Sequence, residues 1–354
     1  MTFTRAQLFC DRFGLRLPIL LAPMAGVPAP ALSVAIANAG GLGACGALLM
    51  TPDAIQKWAA GVRGQSNGAF QLNLWVPDPP PVRDPDHEAA IRTFLGQFGP
   101  EVPENAADGA SPDFSAQCEA LLNAGPPIIS SIMGLYPPDF VAAMKARGIA
   151  WFATVTTVAE ARAAEAAGAD VVIAQGSEAG GHRGRFDADK AEREAVGLFA
   201  LLPAVVDAVQ IPVIATGGIA DARGVAAALT LGASAVQIGT GFLRCPEAGL
   251  NPAWSAGLAA TPPEGTMLTR AFSGRTGRSI ATDYARAAAD GPNPAPYPVQ
   301  RALTQAMRDA ATKASDLGRM QTWAGQSAAL AQAEPAGALI QALWDGARAL
   351  LNHG

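Results

Sequence analysis

Eight short runs of apolar and β-branched residues, each separated from the next by a segment of helical character, constrain this 354-residue chain more than any other feature. The runs are Pro18–Ala25, Gly41–Ala47, Phe70–Val76, Pro127–Met133, Ala150–Thr156, Asp170–Gln175, Pro212–Thr216 and Ala235–Phe242. Between them, Pro30–Ala39, Pro52–Val62, Pro138–Arg147, Val158–Ala167, Leu198–Val209 and Ala222–Leu231 have helical periodicity or helix-forming composition. Strands joined by helical crossovers pair in parallel. Three crossovers also end alike, in Asn38-Ala-Gly-Gly-Leu42, Ala166-Ala-Gly-Ala-Asp170 and Leu231-Gly-Ala-Ser234. Glycine just past a helix can adopt the left-handed conformation that closes the last turn. This repeated unit predicts an α/β fold, specifically a (β/α)8 TIM barrel, with an open doubly wound sheet as the alternative.

Two stretches exceed a bare barrel. Pro77–Gly125, between the third and fourth runs, opens on Pro77-Asp-Pro-Pro-Pro-Val-Arg-Asp-Pro85 and carries helical stretches near Glu88–Phe98 and Phe114–Asn123. A connection this long generally covers a site. From Arg244 to about Glu334 the chain is punctuated by Pro and Gly and largely helical, and Ala336–Leu351 reads as a closing barrel helix. The expected organisation is a barrel over 1–243, a mainly helical lid over 244–334 and a closing helix over 335–354.

Leu17 to Pro52 contains no charged residue, a length that would suit a membrane span. Pro18, Pro23, Pro28 and Pro30, with Gly26, Gly40, Gly41, Gly43 and Gly46, cut it into pieces that read as strand, helix and strand. Arg5 precedes an apolar segment, but Asp11, Arg12 and Arg16 with Pro18 and Pro23 argue against a secretory signal. The net charge of −5 offers no field for a phosphate backbone, so neither nucleic acid nor a membrane is an expected partner. Cys10, Cys45, Cys118 and Cys245 are far apart with no C-x-x-C pair, which indicates neither disulfides nor a metal site and suits the cytoplasm.

In a barrel the reactive residues follow the C-terminal ends of the strands. After the seventh run comes Ala215-Thr-Gly-Gly-Ile219, and the eighth contains Val236-Gln-Ile-Gly-Thr-Gly-Phe242. Glycines there let backbone N–H groups approach a phosphate, although they could equally serve only tight turns. Gly41-Leu-Gly-Ala-Cys-Gly46 matches G-x-G-x-x-G, but it follows a helix and no Asp or Glu occurs from Ala54 to Pro77. It reads as a helix cap plus the second strand, not a dinucleotide site.

Ala174-Gln-Gly-Ser-Glu-Ala-Gly-Gly-His-Arg-Gly184 leaves the sixth run. Its glycines let backbone pass close to a flat ligand and place His182 on a mobile, polar loop at the mouth. Of the other two histidines, His87 sits in the Pro- and Asp-rich connection and His353 is next to last. If the chemistry needs an imidazole, His182 is the well-placed one. Asn73 is polar within an apolar strand and Gln175 ends another; such amides can meet a ring with a mixed donor and acceptor edge, or merely satisfy barrel backbone.

Ala22-Pro-Met-Ala-Gly26, Asn73, Gln175-Gly-Ser-Glu-Ala-Gly-Gly-His182, Ala215-Thr-Gly-Gly-Ile219, Gln237-Ile-Gly-Thr240 and Phe272-Ser-Gly-Arg275 together resemble the nitronate monooxygenase family across nearly the whole chain. The resemblance implies FMN held by Ala22, Pro23, Met24, Asn73, Gln175, Gly180, Gly181, Gly217, Gly218, Gln237, Ile238, Gly239 and Thr240. It implies O2-dependent oxidation of alkyl nitronates, and of nitroalkanes, to a carbonyl compound and nitrite through a flavin semiquinone. His182 would act as base or as a protonated holder of the anion. Tyr297, in Pro294-Ala-Pro-Tyr-Pro298, could reach the substrate, while Arg301 and Gln305 stand where further aromatic or basic residues occur in relatives. Met24, Met133 and Trp75 would make an apolar wall. A monomer or homodimer is expected, with no metal. The alternatives are an FMN-dependent, NAD(P)H-using enoyl-(acyl carrier protein) or quinone reductase, and a flavin-free barrel binding a phosphorylated metabolite.

Overall fold

The structure, a computed structural model, describes residues 2–27, 30–109 and 112–352. The eight runs form eight parallel strands: Ile19–Leu21, Gly43–Gly46, Phe70–Trp75, Ile128–Ile132, Ala150–Val155, Val171–Gln175, Val213–Thr216 and Ala235–Ile238. Each pairs with its neighbour in sequence, and the first pairs with the eighth, Leu20 opposite Gln237. The ring is completed between the first and second strands, where Leu21 N donates to the Leu42 carbonyl at 2.8 Å and Leu20 bridges Leu42 in parallel. A closed (β/α)8 barrel results, which excludes the open sheet. The first and eighth strands are shorter than their apolar runs at the C-terminal end. Ala22–Val27 leaves the first strand as rim loop, and the eighth ends at Ile238 before a 3-10 turn over Thr240–Phe242.

The physical devices are local. Gly40, Gly168 and Gly232, the glycines of the repeated helix ends, all have positive φ, at 102°, 94° and 106°. Thr51, Thr157 and Asp221 each accept a backbone N–H in the first turn of the helix that follows. The G-x-G-x-x-G glycines pack strand against helix: a Cβ on Gly41 would meet the Ile19 carbonyl at 2.6 Å, and one on Gly43 the Ser33 carbonyl at 2.8 Å.

The N-terminal residues form a helix, Thr2–Phe13, that floors the barrel. Phe9, Cys10 and Leu15 join Leu20, Ile128, Phe152, Val171 and Ile214 in one buried cluster, with Phe13 edge-on to Phe152 at 5.0 Å. The final helix, Ala336–Asn352, packs Leu339, Ile340 and Leu343 into the layer between strands and helices. His353 and Gly354 lie outside the described residues.

The two excursions share one core. Ile91, Leu95 and Val102 from the connection after the third strand pack with Phe272, Tyr284, Leu303 and Met307 from the segment after the eighth. That later segment contains the helices Pro252–Ala260, Asp283–Ala287, Val299–Leu303 and Gln305–Ala314, and also an antiparallel hairpin, Thr266–Thr269 with Gly277–Ile280. The hairpin is absent from the helical reading of the sequence. Its four-residue strands are too short to carry a pattern, and its third partner is Gly181–His182, far upstream. No helix among the described residues is long and apolar enough to cross a membrane.

Candidate active site

Between rim and lid lies a cavity of about 360 Å3. At one end it is walled by backbone. Gly217 and Gly218 have φ of 113° and 69°, a conformation that side-chain-bearing residues avoid, and they follow the seventh strand where it meets the cavity. Among the described residues, no protein acceptor takes the N–H of Gly217, Gly218, Gly239 or Thr240. Four such donors beside a cavity form a seat for an anion. Ser327 Oγ donates to the Gly218 carbonyl and Gly325 N donates to Thr240 Oγ1 at 3.0 Å, which ties the lid segment to this rim. Gly180 lies between them, and a Cβ there would meet Gly325 N at 2.5 Å and the Ala324 carbonyl carbon at 2.7 Å.

Ala22, Pro23 and Met24 line the cavity from the first rim loop. Asn73 donates through Nδ2 to the Ser130 carbonyl and Oγ, at 3.2 and 3.1 Å, so its Oδ1 is left for a ligand. Gln237 accepts from Gln71 Nε2 at 3.1 Å and keeps its own amide donor for the cavity. Gln175 also lines the cavity, and its amide carries a local structural task. Its Nε2 donates to the His182 carbonyl at 3.0 Å and its Oε1 accepts from Gly184 N at 2.8 Å, so the amide staples the glycine-histidine segment to the sixth strand. Ile238 does not reach the cavity. Its side chain is in the buried layer, and its carbonyl accepts from Ala22 N at 2.9 Å. Met133 is buried away from the wall that Met24 and Trp75 do form.

The other end is built from side chains. His182 is not on a mobile loop: Gly181–His182 is a short strand, with His182 opposite Gly277 and Gly181 opposite Arg278. Arg183 donates to the Gly176 and Gln175 carbonyls, and Glu160 accepts from Phe186 N while pairing with Arg185 at 3.0 Å. The segment is therefore fixed on both sides of the histidine. The imidazole sits between two indoles, with ring centroids 4.7 Å from both Trp75 and Trp323, and Tyr297 lies 5.2 Å beyond Trp75.

His182 Nε2 meets Ser273 Oγ at 2.7 Å, and Ser273 Oγ donates in turn to the Arg275 carbonyl at 3.2 Å. Ser273 is placed by a turn that only Gly274 permits: its φ is 89°, and a Cβ there would meet the Ala295 carbonyl at 2.4 Å. Burial, and then the charges of Arg275, Arg301 and Arg308, push the His182 pKa down to about 3. At neutral pH the ring is uncharged.

Arg301, Arg308 and Trp323 complete this end. Arg308 and Trp323 carry no local sequence signal, whereas Ser273 stands in the Phe272-Ser-Gly-Arg275 motif without its role being readable there. His87 is a surface residue whose Nε2 meets the Asn293 carbonyl at 2.7 Å, well away from the cavity wall. Among the described residues no cluster of His, Cys, Asp and Glu could hold a metal ion.

A closed barrel whose C-terminal mouth pairs a glycine-rich anion seat with a lidded aromatic pocket defines a (β/α)8-barrel enzyme of the small-molecule type. A family model described as nitronate monooxygenase matches residues 8–346. A nitronate monooxygenase of Pseudomonas aeruginosa is 40% identical over 349 residues, covering 94% of this chain and 98% of that protein. One from Paraburkholderia phytofirmans is 38% identical over 338 residues, covering 93% and 92%. The crystal structure of a nitroalkane oxidase from Streptomyces ansochromogenes superposes with a TM-score of 0.88 at 36% identity, covering 98% of this chain and 99% of that one. The chain belongs to the nitronate monooxygenase family and is an oxidoreductase.

Proposed function

We propose that this enzyme binds FMN and uses O2 to oxidise alkyl nitronates to a carbonyl compound and nitrite. The observation that carries this reading is the two-ended cavity: four unpaired backbone donors at one end, and an aromatic, cationic pocket with His182 at the other. The residues present fit a flavin nucleotide. Gly217, Gly218, Gly239 and Thr240 would receive its phosphate, and Gly180, by lacking a side chain, lets the lid backbone at Ala324 and Gly325 seat against this rim. Asn73 Oδ1 and the Gln237 amide would offer one acceptor and one donor to the ring edge. When bound, the flavin supplies the redox chemistry; the chain supplies orientation and electrostatics.

The chain's own contribution follows from its charges. His182 is neutral near pH 7, so it does not hold the substrate as an imidazolium. A base of such low affinity for protons is also poorly matched to removing a carbon-bound proton. Both arguments favour substrate that arrives as the preformed anion. Trp75, Trp323 and Tyr297 form an aromatic wall around this end of the cavity and would exclude water from a substrate held there.

The test is an absorbance spectrum of the purified protein followed by oxygen uptake. A flavin spectrum, release of FMN on denaturation, and oxygen consumption with ethyl nitronate are expected. Prompt anaerobic bleaching by NADH or NADPH would replace this reading with a reductase. A colourless protein that takes up no FMN would replace it with a flavin-free, phosphate-binding barrel.

A further inference from the structure

Among the described residues, the charged side chains on the cavity wall are Arg301 and Arg308, with no Asp or Glu. Their situations differ. Arg308 is buried and held on every side: Nε donates to Thr304 Oγ1, Nη1 to Gln321 Oε1, and Nη2 to Gln305 Oε1 and to the Arg301 carbonyl, at 2.7 to 3.1 Å. None of these acceptors is charged. Arg301 has no hydrogen-bond or ion-pair partner for its guanidinium among the described residues, and its nitrogens are not sealed within the protein. Two acids of this region are engaged elsewhere: Asp78 pairs with Arg275 at 3.1 Å, and Asp309 accepts from Gln305. Arg301 acts electrostatically on both His182 and Tyr297, which puts it at the side-chain end of the cavity and not at the glycine rim.

We infer that Arg301 is the anion-binding residue for the substrate, its guanidinium receiving the two oxygens of the nitronate group as a fork while Arg308 anchors the helix turn that presents it. This rests on the functional reading above and deepens it by naming the residue that selects the anionic form. A nitronate is a planar group with two oxygens on one atom, the geometry that a guanidinium matches with two parallel N–H donors. A guanidinium on the cavity wall with no carboxylate and no other acceptor keeps its N–H donors free for a ligand anion. With His182 neutral and all three Arg308 nitrogens engaged by protein acceptors, Arg301 is the wall cation with free donors.

The experiment compares the wild-type holoenzyme with Arg301→Gln and Arg301→Lys. Oxygen uptake is followed with ethyl nitronate, and sodium nitrite, another planar two-oxygen anion, is titrated by calorimetry into the FMN-loaded enzyme in a buffer free of competing oxyanions. Arg301→Gln should lower kcat/KM for ethyl nitronate roughly 10- to 100-fold, mainly through KM, and weaken nitrite by a similar factor. Arg301→Lys should recover part of both, because the charge returns without the fork. An Arg301→Gln enzyme with unaltered thermal unfolding, unaltered KM and unaltered nitrite affinity would overturn the inference. So would equal defects in the Gln and Lys variants confined to kcat. If the wild type shows no oxygen uptake with ethyl nitronate, the proposed reaction fails, while nitrite titration still decides whether Arg301 binds a planar anion.

Discussion

The two ends of the cavity are made from different materials. The rim end is backbone: Gly217, Gly218, Gly239 and Thr240 follow the seventh and eighth strands directly, and their free N–H groups are fixed by the strands themselves. The lid end is side chains from four separate segments: Trp75 ends the third strand, His182 follows the sixth, and Tyr297 with Arg301, then Trp323, come from the insertion after the eighth. Backbone donors pinned by a barrel are pre-organised whatever covers them. A pocket of converging side chains is only as precise as the lid that holds it. Under the proposed function, the first end would serve cofactor phosphate and the second the choice of substrate.

The sharpest way to break this contrast is at Gly180, where rim and lid touch. Gly180→Val would press on backbone atoms of Ala324 and Gly325, which cannot swing aside as a flexible side chain could. We expect a loss of about 3 kcal/mol in denaturant unfolding, together with weaker FMN binding. A variant as stable as wild type would show that the lid is not seated on the rim.

A smaller effect belongs to Asn73. Asn73→Leu removes the bonds to Ser130 and the free Oδ1, and should weaken FMN about 10-fold in a fluorescence titration while leaving the KM for ethyl nitronate nearly constant. A change confined to KM would move Asn73 from the cofactor to the substrate end.

The smallest expected effect is a flat line. With His182 uncharged down to a pKa of about 3, kcat/KM for a preformed nitronate should show no inflection between pH 5.5 and 7.5 that disappears in His182→Asn. Stability should respond instead. The unfolded chain takes a proton near pH 6.5 that the native ring refuses until about 3, so unfolding becomes easier as pH falls through that window. His182→Asn should flatten this acid slope. An enzyme whose activity titrates near 6.5 through His182 would mean that the imidazole carries charge in turnover.

Much of the first end was legible along the chain, because its signals are local. Glycine pairs at the ends of two adjacent strands are consecutive residues, and the strands are recognisable from runs of apolar and β-branched side chains. The reading stopped short where a partner is remote. Gln175 reads as a ring-facing amide and does line the cavity, but its contacts with Gly184 and the His182 carbonyl are visible only in three dimensions. Ile238 belongs to a motif whose alternation turns its side chain into the core. The glycine-rich setting of His182 suggested mobility, but pairing with Gly277, visible only in three dimensions, makes it a strand. The Thr2–Phe13 helix was missed because its buried face is matched by the bottom of the barrel, which no single segment contains.

The sequence alone determined the alternation of eight strands and their crossovers, and the glycines at the ends of the seventh and eighth strands, since periodicity and backbone permission are properties of neighbouring residues. Only the tertiary structure decided that the sheet closes, that Ser273 orients His182, and that Arg301 faces a cavity without a carboxylate. Those outcomes depend on which distant groups share a small, desolvated volume, and there the charge on one residue is set by others far away in the chain.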